Sequence, residues 1–137
     1  MRSLFLDTNI IIDLLAKREP FYLSAAQLFS LADKGKFQLC VSALTFANTN
    51  YILLKEKKPE EAKLILRKLK LLVKVIGLDD KIIGLSLNDT DFKDYEDALQ
   101  YYSALENGND LIITRNLKDF QKSKIPVITA EQFLQQI

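Results

Sequence analysis

Short strand-like runs alternate with longer segments of helical pattern along this 137-residue chain. Because the runs are mainly apolar, a sheet built from them needs cover on both sides. This alternation predicts an α/β fold, with a parallel sheet of about five strands and helices on both faces. Residues 1–137 are enough for a single domain with its own core. The predicted strands are 4–6, 38–41, 73–76, 111–114 and 127–128.

Seven helices are predicted between and after these strands. Ser42 is a good N-cap, and Pro59 suits the first position of a helix. Gly35 suits the residue that follows a helix end, and so does Gly108. The predicted helices are 10–16, 21–34, 43–55, 59–72, 79–87, 95–107 and 130–136.

The chain has no histidine and a single cysteine, Cys40. Zinc sites built on these residues are therefore excluded, as are Ser-His-Asp, Cys-His and histidine-based acid–base catalysis. A hydrolase of this composition is left with carboxylates and a hard metal ion. A lone cysteine also forms no internal disulfide, and no apolar stretch reaches the length of a membrane span. We expect a cytoplasmic protein without a membrane segment.

Charge is distributed unevenly, although the net charge is only +1. Residues 55–74 contain eight basic and three acidic side chains, whereas residues 79–97 contain seven acidic and two basic ones. The basic stretch is suited to phosphates and the acidic stretch to cations. The alternative is that both are solvated helix faces.

Polar residues directly follow three of the predicted strands. Asp7 follows the first, Ser42 the second, and the segment 114–116 the fourth. Ligands of parallel α/β sheets bind outside the carboxyl ends of the strands, so this edge is the predicted functional edge. Capping of the first helix is an alternative role for Asp7. Arg115, within 114–116, could hold a phosphate, or it could be ordinary loop polarity.

Two helices carry further candidates. Asp94 and Asp97 are three residues apart and share a helix face, where they are either site residues or solvated acids of a first turn. Asn48 is at helical spacing from Leu44 and Ile52, which predicts that it lies on or beside the inward face. There it is either a hydrogen-bonded core amide or a residue directed toward Asp7.

Four segments together resemble the PIN domains, a family of small metal-dependent nucleases. Their order and spacing carry the resemblance, which covers nearly the whole chain, whereas a single motif such as Asp-Thr-Asn is weak evidence. The family's fold is a three-layer α/β arrangement, in agreement with the strand–helix alternation. The segments are LFLDTNIIIDLL (Leu4–Leu15), VSALTFANTNYIL (Val41–Leu53), DYEDALQYYSALENGNDLIITRN (Asp94–Asn116) and KDF (Lys118–Phe120).

Position by position, the resemblance implies a site for Mg²⁺ or Mn²⁺ held by Asp7 and Asp97. The position at which the family usually has Glu is Asn48 here, and a position that is often Asp is Asn116. The resemblance assigns these four residues to the catalytic centre. The residues expected to surround the centre or to contact substrate are Thr8, Asn9, Asp94, Thr114, Arg115 and Asp119.

The resemblance implies a metal-dependent endoribonuclease similar to the VapC-like toxins of toxin–antitoxin pairs. RNA is then the substrate and an antitoxin protein the partner, while the sequence leaves a homodimer open. An alternative is a degenerate PIN domain that binds RNA or protein without cleavage, because the neutral Asn48 lowers the charge of the site. A phospho-receiver-like domain is disfavoured, because Asp7 has no second acid beside it and the last strand leads to Thr129 instead of a lysine.

Overall fold

The computed structural model describes all 137 residues. Its five strands form one parallel sheet in the order β3-β2-β1-β4-β5, which confirms the predicted α/β fold. Because β1 lies between β2 and β4, the carboxyl ends of these three strands meet at one edge. The strands are β1 (Ser3–Leu6), β2 (Gln38–Ser42), β3 (Lys74–Ile76), β4 (Leu111–Ile113) and β5 (Val127–Ile128).

Seven α-helices connect and follow the strands, each within a few residues of its predicted bounds. Ser42 caps α3, since its hydroxyl accepts a hydrogen bond from the backbone N–H of Leu44 at 3.1 Å. Gly35 and Gly108 have φ values of +79° and +70°, a conformation that glycine adopts without a steric penalty. The helices are α1 (Thr8–Leu15), α2 (Tyr22–Asp33), α3 (Ala43–Leu53), α4 (Pro59–Lys70), α5 (Asp80–Asn88), α6 (Tyr95–Glu106) and α7 (Ala130–Gln136).

The sheet separates two apolar cores. Successive side chains of a strand point to opposite faces, so Leu4 and Leu6 enter one core and Phe5 enters the other. Helices α1, α2, α4 and α7 contribute to the first core, while α6 and the loop before it contribute to the second. Helices therefore cover both faces, as the apolar strands predicted. None of these helices combines the length and the hydropathy needed to cross a membrane.

A short 3₁₀ helix, Leu117–Phe120, follows β4 and was not predicted. It is anchored by Phe120, which is buried in the second core beside Phe92. The rest of this turn is exposed, including Lys118 and Asp119. The anchored turn therefore holds two charged side chains close to the carboxyl edge of the sheet.

Candidate active site

Asp7 is the most firmly held residue at the carboxyl edge of the sheet. It caps α1, is only 7% exposed, and accepts hydrogen bonds on both carboxylate oxygens. Oδ1 accepts from the backbone N–H of Thr8 (2.8 Å) and from Gln100 Nε2 (3.2 Å). Oδ2 accepts from Thr114 Oγ1 (2.8 Å) and from Asn9 Nδ2 (3.4 Å). The predicted capping role and the predicted site position therefore belong to the same carboxylate.

These four donors offset the cost of burying a charge. Burial raises the pKa of Asp7, and the hydrogen bonds from Thr114, Thr8 and Gln100 act in the opposite direction. The backbone also fixes the position of Asp7, because its N–H donates to the carbonyl of Ile113 at the end of β4 (3.0 Å). The orientation of Asp7 is thus set by the junction of β1 and β4.

Gln100 is a site residue that the sequence analysis missed. It lies on α6, is 2% exposed, and its Nε2 contacts Asp7 Oδ1 together with Thr8 Oγ1 (3.1 Å) and Thr45 Oγ1 (3.0 Å). The two threonine hydroxyls are also hydrogen-bonded to each other (2.9 Å). A signal was available in the sequence, since Gln100 is a polar residue within the otherwise apolar stretch of α6 that follows Asp97. Gln100 Oε1 is buried without a hydrogen-bond partner.

Asp97 is half-buried in the first turn of α6 and has a very different environment. Its backbone N–H donates to the capping carboxylate of Asp94 (3.1 Å). The pKa of Asp97 is raised to about 7, first by burial and then by the negative charges of Asp94, Asp7, Asp119 and Glu96. The structure therefore brings Asp97 into the electrostatic field of Asp7.

Asp119 is the third acid of this group. Its negative charge raises the pKa of both Asp7 and Asp97. By contrast, Asn116 is exposed, and its only hydrogen bond near the site is from its backbone N–H to Thr114 Oγ1 (3.1 Å). The acid that acts electrostatically on both site carboxylates thus comes from the 3₁₀ helix, three residues after Asn116.

The inward face of α3 is displaced by one residue from the predicted row of Leu44, Asn48 and Ile52. Its buried residues are Thr45, Thr49 and Leu53, and the partly exposed Asn48 lies beside them. The hydrogen bonds of Thr45 to Thr8 and Gln100 explain the displacement, because they draw a polar side chain inward. Asn48 is therefore not a core amide. Its Nδ2 donates to Glu96 Oε1 at 2.9 Å, which places it beside the first turn of α6.

Arg115 also requires a correction. Its guanidinium makes a bidentate ion pair with Asp13, through Nε (2.8 Å) and Nη2 (3.1 Å), and it stacks 4.0 Å from the ring centroid of Phe21. Asp13 is 1% exposed, so the pair neutralises a buried charge. The fork that was expected to hold a phosphate is therefore occupied inside the protein. The backbone N–H of Arg115 still supports the site, since it donates to Asn9 Oδ1 (3.3 Å).

Comparison with known proteins identifies the family. The model of the PIN domain matches residues 3–118. The chain belongs to the PIN-domain family. This PIN domain is 31% identical over 134 residues to Ribonuclease VapC1 of Aquifex aeolicus, covering 96% of the chain and 92% of that protein.

Solved structures of toxin–antitoxin complexes have the same fold. A toxin–antitoxin complex from Klebsiella pneumoniae matches with a TM-score of 0.71 and 26% identity, over 93% of this PIN domain and 98% of the other chain. VapBC-1 from nontypeable Haemophilus influenzae matches with a TM-score of 0.72 and 20% identity, over 94% and 98% of the two chains. The three-layer arrangement is thus that of the VapC structures.

The donors of this PIN domain suit a divalent cation, on which VapC-type ribonucleases generally depend. Carboxylate oxygens are the ligands that hard cations prefer, and Mg²⁺ commonly needs only one or two of them besides water and substrate. No three acidic side chains converge into a complete cage. The mutual repulsion that raises the pKa of Asp97 is what a cation would relieve. The set therefore fits an open site in which the protein supplies part of the coordination.

Proposed function

We propose that this PIN domain is a metal-dependent endoribonuclease and the toxin of a toxin–antitoxin pair. The observation that carries the proposal is the grouping of acids at the carboxyl edge of the sheet, where the charges of Asp7 and Asp119 add to burial in raising the pKa of Asp97, and the charge of Asp119 adds to burial in raising that of Asp7. The relative named Ribonuclease VapC1 supports RNA as the substrate. Residues 1–137 would act as one domain.

Asp7 and Asp97 would hold Mg²⁺ or Mn²⁺, with Asp119 adding negative charge beside them. When bound, the cation supplies charge neutralisation at the phosphate and lowers the pKa of a water molecule. Thr114 and Gln100 keep the Asp7 carboxylate in one orientation by donating to its two oxygens. Fixed orientation matters because small misplacement of a reacting group lowers the rate strongly.

Asn48 and Asn116 would orient water or RNA at the outer side of the site. Both are accessible to solvent, and the side chain of Asn116 makes no hydrogen bond within the protein. Asn48 keeps acceptor capacity on its amide oxygen while its Nδ2 donates to Glu96. In these roles the two amides would position water or RNA without adding charge to the site.

The proposed partner is an antitoxin protein, as in the solved complexes from Klebsiella pneumoniae and Haemophilus influenzae. We further propose a cytoplasmic location. Cys40, which is buried and not in a disulfide, suits a reducing compartment.

The second candidate is a degenerate PIN domain that binds RNA without cleaving it. Asn48 favours it, because a neutral amide bonded to Glu96 occupies a position at which a carboxylate would add charge for the cation. Both candidate functions include RNA binding, and only the first includes RNA hydrolysis.

Incubation of the purified protein with labelled RNA distinguishes them. Cleavage that appears with Mg²⁺ or Mn²⁺ and disappears with chelator is the expected result, and Asp97→Asn serves as the control for contaminating nucleases. RNA that is bound but remains intact with either metal would favour the degenerate domain.

A further inference from the structure

A cavity of about 370 Å³ opens beside Asp97, outside the cluster that surrounds Asp7. No hydrophobic residue lines it. One part of its lining is acidic and includes Asp91, Asp94 and Asp119 in addition to Asp97. The candidate active site and this cavity therefore share Asp97 and Asp119 and are continuous.

Three lysines line the same cavity: Lys93, Lys118 and Lys122. Lys93 lies in the loop before α6, and the other two belong to the 3₁₀ helix and the turn after it. The protein contains only two ion pairs within 4.0 Å, Lys81–Glu106 and Arg115–Asp13. None of the three ammonium groups therefore has an acidic oxygen within 4.0 Å, although four aspartates line the cavity with them.

An RNA strand that reaches Asp97 must bring its own negative charge up to this group of acids. Repulsion would oppose that approach unless cationic groups stood beside the acids. Lysine binds phosphate as a point charge on a flexible stem, so a solvated cavity suits it. A lining without hydrophobic residues also suits a phosphate, which keeps part of its hydration.

We propose that Lys93, Lys118 and Lys122 form a binding site for an RNA backbone phosphate next to the bond that is cleaved. This inference rests on the proposed function for its choice of RNA and deepens it. The three lysines and Asp97 would together determine where the strand crosses the site. The guanidinium of Arg115 cannot serve this purpose, because it is engaged with Asp13.

The basic helix α4 offers a matched comparison. Lys63, Arg67 and Lys70 carry the same total charge as the three cavity lysines. No residue of α4 lines this cavity, and α4 packs mainly against α3. A contribution of α4 to RNA binding would therefore be that of general surface charge.

The experiment compares two triple variants of the full chain, Lys93→Gln/Lys118→Gln/Lys122→Gln and Lys63→Gln/Arg67→Gln/Lys70→Gln. Binding of a fluorescent single-stranded RNA of about 12 nucleotides is measured by anisotropy in chelator over a range of salt concentrations. We expect the cavity variant to bind about tenfold more weakly and to lower the slope of log Kd against log salt by about 0.7, since the proposed site holds one phosphate and each phosphate contact on a single strand contributes about 0.7. The α4 variant should change the slope by less than half as much, and replacement of the three cavity lysines by arginine should restore it.

An equal or larger effect of the α4 variant would overturn the inference, as would an unchanged slope for the cavity variant or the absence of RNA binding by the parent. The readout does not require hydrolysis. A protein that binds RNA through these lysines but never cleaves it would contradict the proposed function and support the inference. A protein that cleaves RNA with an unchanged slope in the cavity variant would support the function and overturn the inference.

Discussion

The two acids of the candidate site differ in how the protein treats their charge. Asp7 is buried among donors from α1, from α6 and from the residues after β4. Asp97 is half-buried among other acids, and its pKa of about 7 is the result. We call the first environment the inner cluster (Asp7, Thr8, Asn9, Thr45, Gln100 and Thr114) and the second the outer cluster (Asn48, Asp94, Glu96, Asp97 and Asp119).

The difference shows which part of the site the fold supplies. Hydrogen bonds within the protein already satisfy both carboxylate oxygens of Asp7, so Asp7 is oriented without any ligand. The outer cluster has unbalanced negative charge, and few hydrogen bonds restrain it. A divalent cation would remove that imbalance. The fold therefore builds one half of the site and leaves the other half to be completed by the cation.

The largest expected effect is on catalysis. Asp7→Asn and Asp97→Asn should each lower the rate of RNA cleavage by about 1,000-fold or more, because one cation depends on both carboxylates. Residues that act as a unit are not additive, so the double variant should be no worse than the single ones. Rates of the three variants, with circular dichroism to confirm folding, test this. If the rate loss of the double variant equals the product of the two single losses, Asp7 and Asp97 act independently and do not share one cation.

A smaller effect is expected for the support of Asp7. Gln100→Leu removes a donor to Asp7 and should weaken Mn²⁺ binding by about 10–100-fold, the range for residues that orient a metal ligand. Ser103→Ala is the matched control, since Ser103 is also buried on α6 but donates only to the carbonyl of Leu99. Calorimetric titration measures both variants. If Gln100→Leu binds Mn²⁺ as tightly as Ser103→Ala does, Gln100 only fills space beside Asp7.

The outer cluster should respond to added charge. Asn48→Glu should tighten Mn²⁺ binding about tenfold, because the added carboxylate offsets the cost of dehydrating the cation. Without metal, the same variant should melt at a lower temperature, because the new acid lies beside Glu96. Asn50→Glu adds the same charge on another face of α3 and should leave the affinity unchanged. If both variants bind Mn²⁺ equally, Asn48 takes no part in the site.

Much of this architecture was predictable from local patterns. The apolar strands predicted the sheet, and Ser42 and Pro59 predicted the starts of α3 and α4. Strand and cap patterns are features that a short stretch of sequence determines by itself. The edge of the sheet predicted the position of Asp7, whereas Asp97 was assigned to the site only by the resemblance to PIN domains, which rests on nearly the whole chain.

The remaining details depend on contacts between distant parts of the chain. Gln100 and Asp7 are 93 residues apart, and Arg115 and Asp13 are 102 apart. The rotation of α3 depends on a hydroxyl pair between Thr8 and Thr45, 37 residues apart. Helical periodicity gives a threonine little weight as a buried residue, because it carries no information on a partner hydroxyl elsewhere in the chain. It therefore placed the inward face of α3 one residue away from its actual position and overlooked Gln100.

The smallest effect concerns stability and follows from the pKa of Asp97. The fold raises this pKa from 3.8 to about 7, so the folded state keeps a proton that the unfolded chain has released at intermediate pH. The resulting stabilisation is complete below about pH 4 and is lost as pH rises through about 7. In chelator, the melting temperature should therefore fall between pH 5 and pH 8. Because Asp97 is partly solvated, we expect a decrease of only about 3–5 °C.

Thermal melting of Asp97→Asn and the parent at pH 8 tests the contrast between the clusters most directly. In chelator, the variant should melt about 3–5 °C higher than the parent, because it lacks the repelled charge. With saturating Mn²⁺ the order should reverse, since only the parent gains stability from binding the cation. A parent that melts higher than Asp97→Asn both in chelator and in Mn²⁺ would contradict the claim that the fold leaves the outer cluster for a cation to complete.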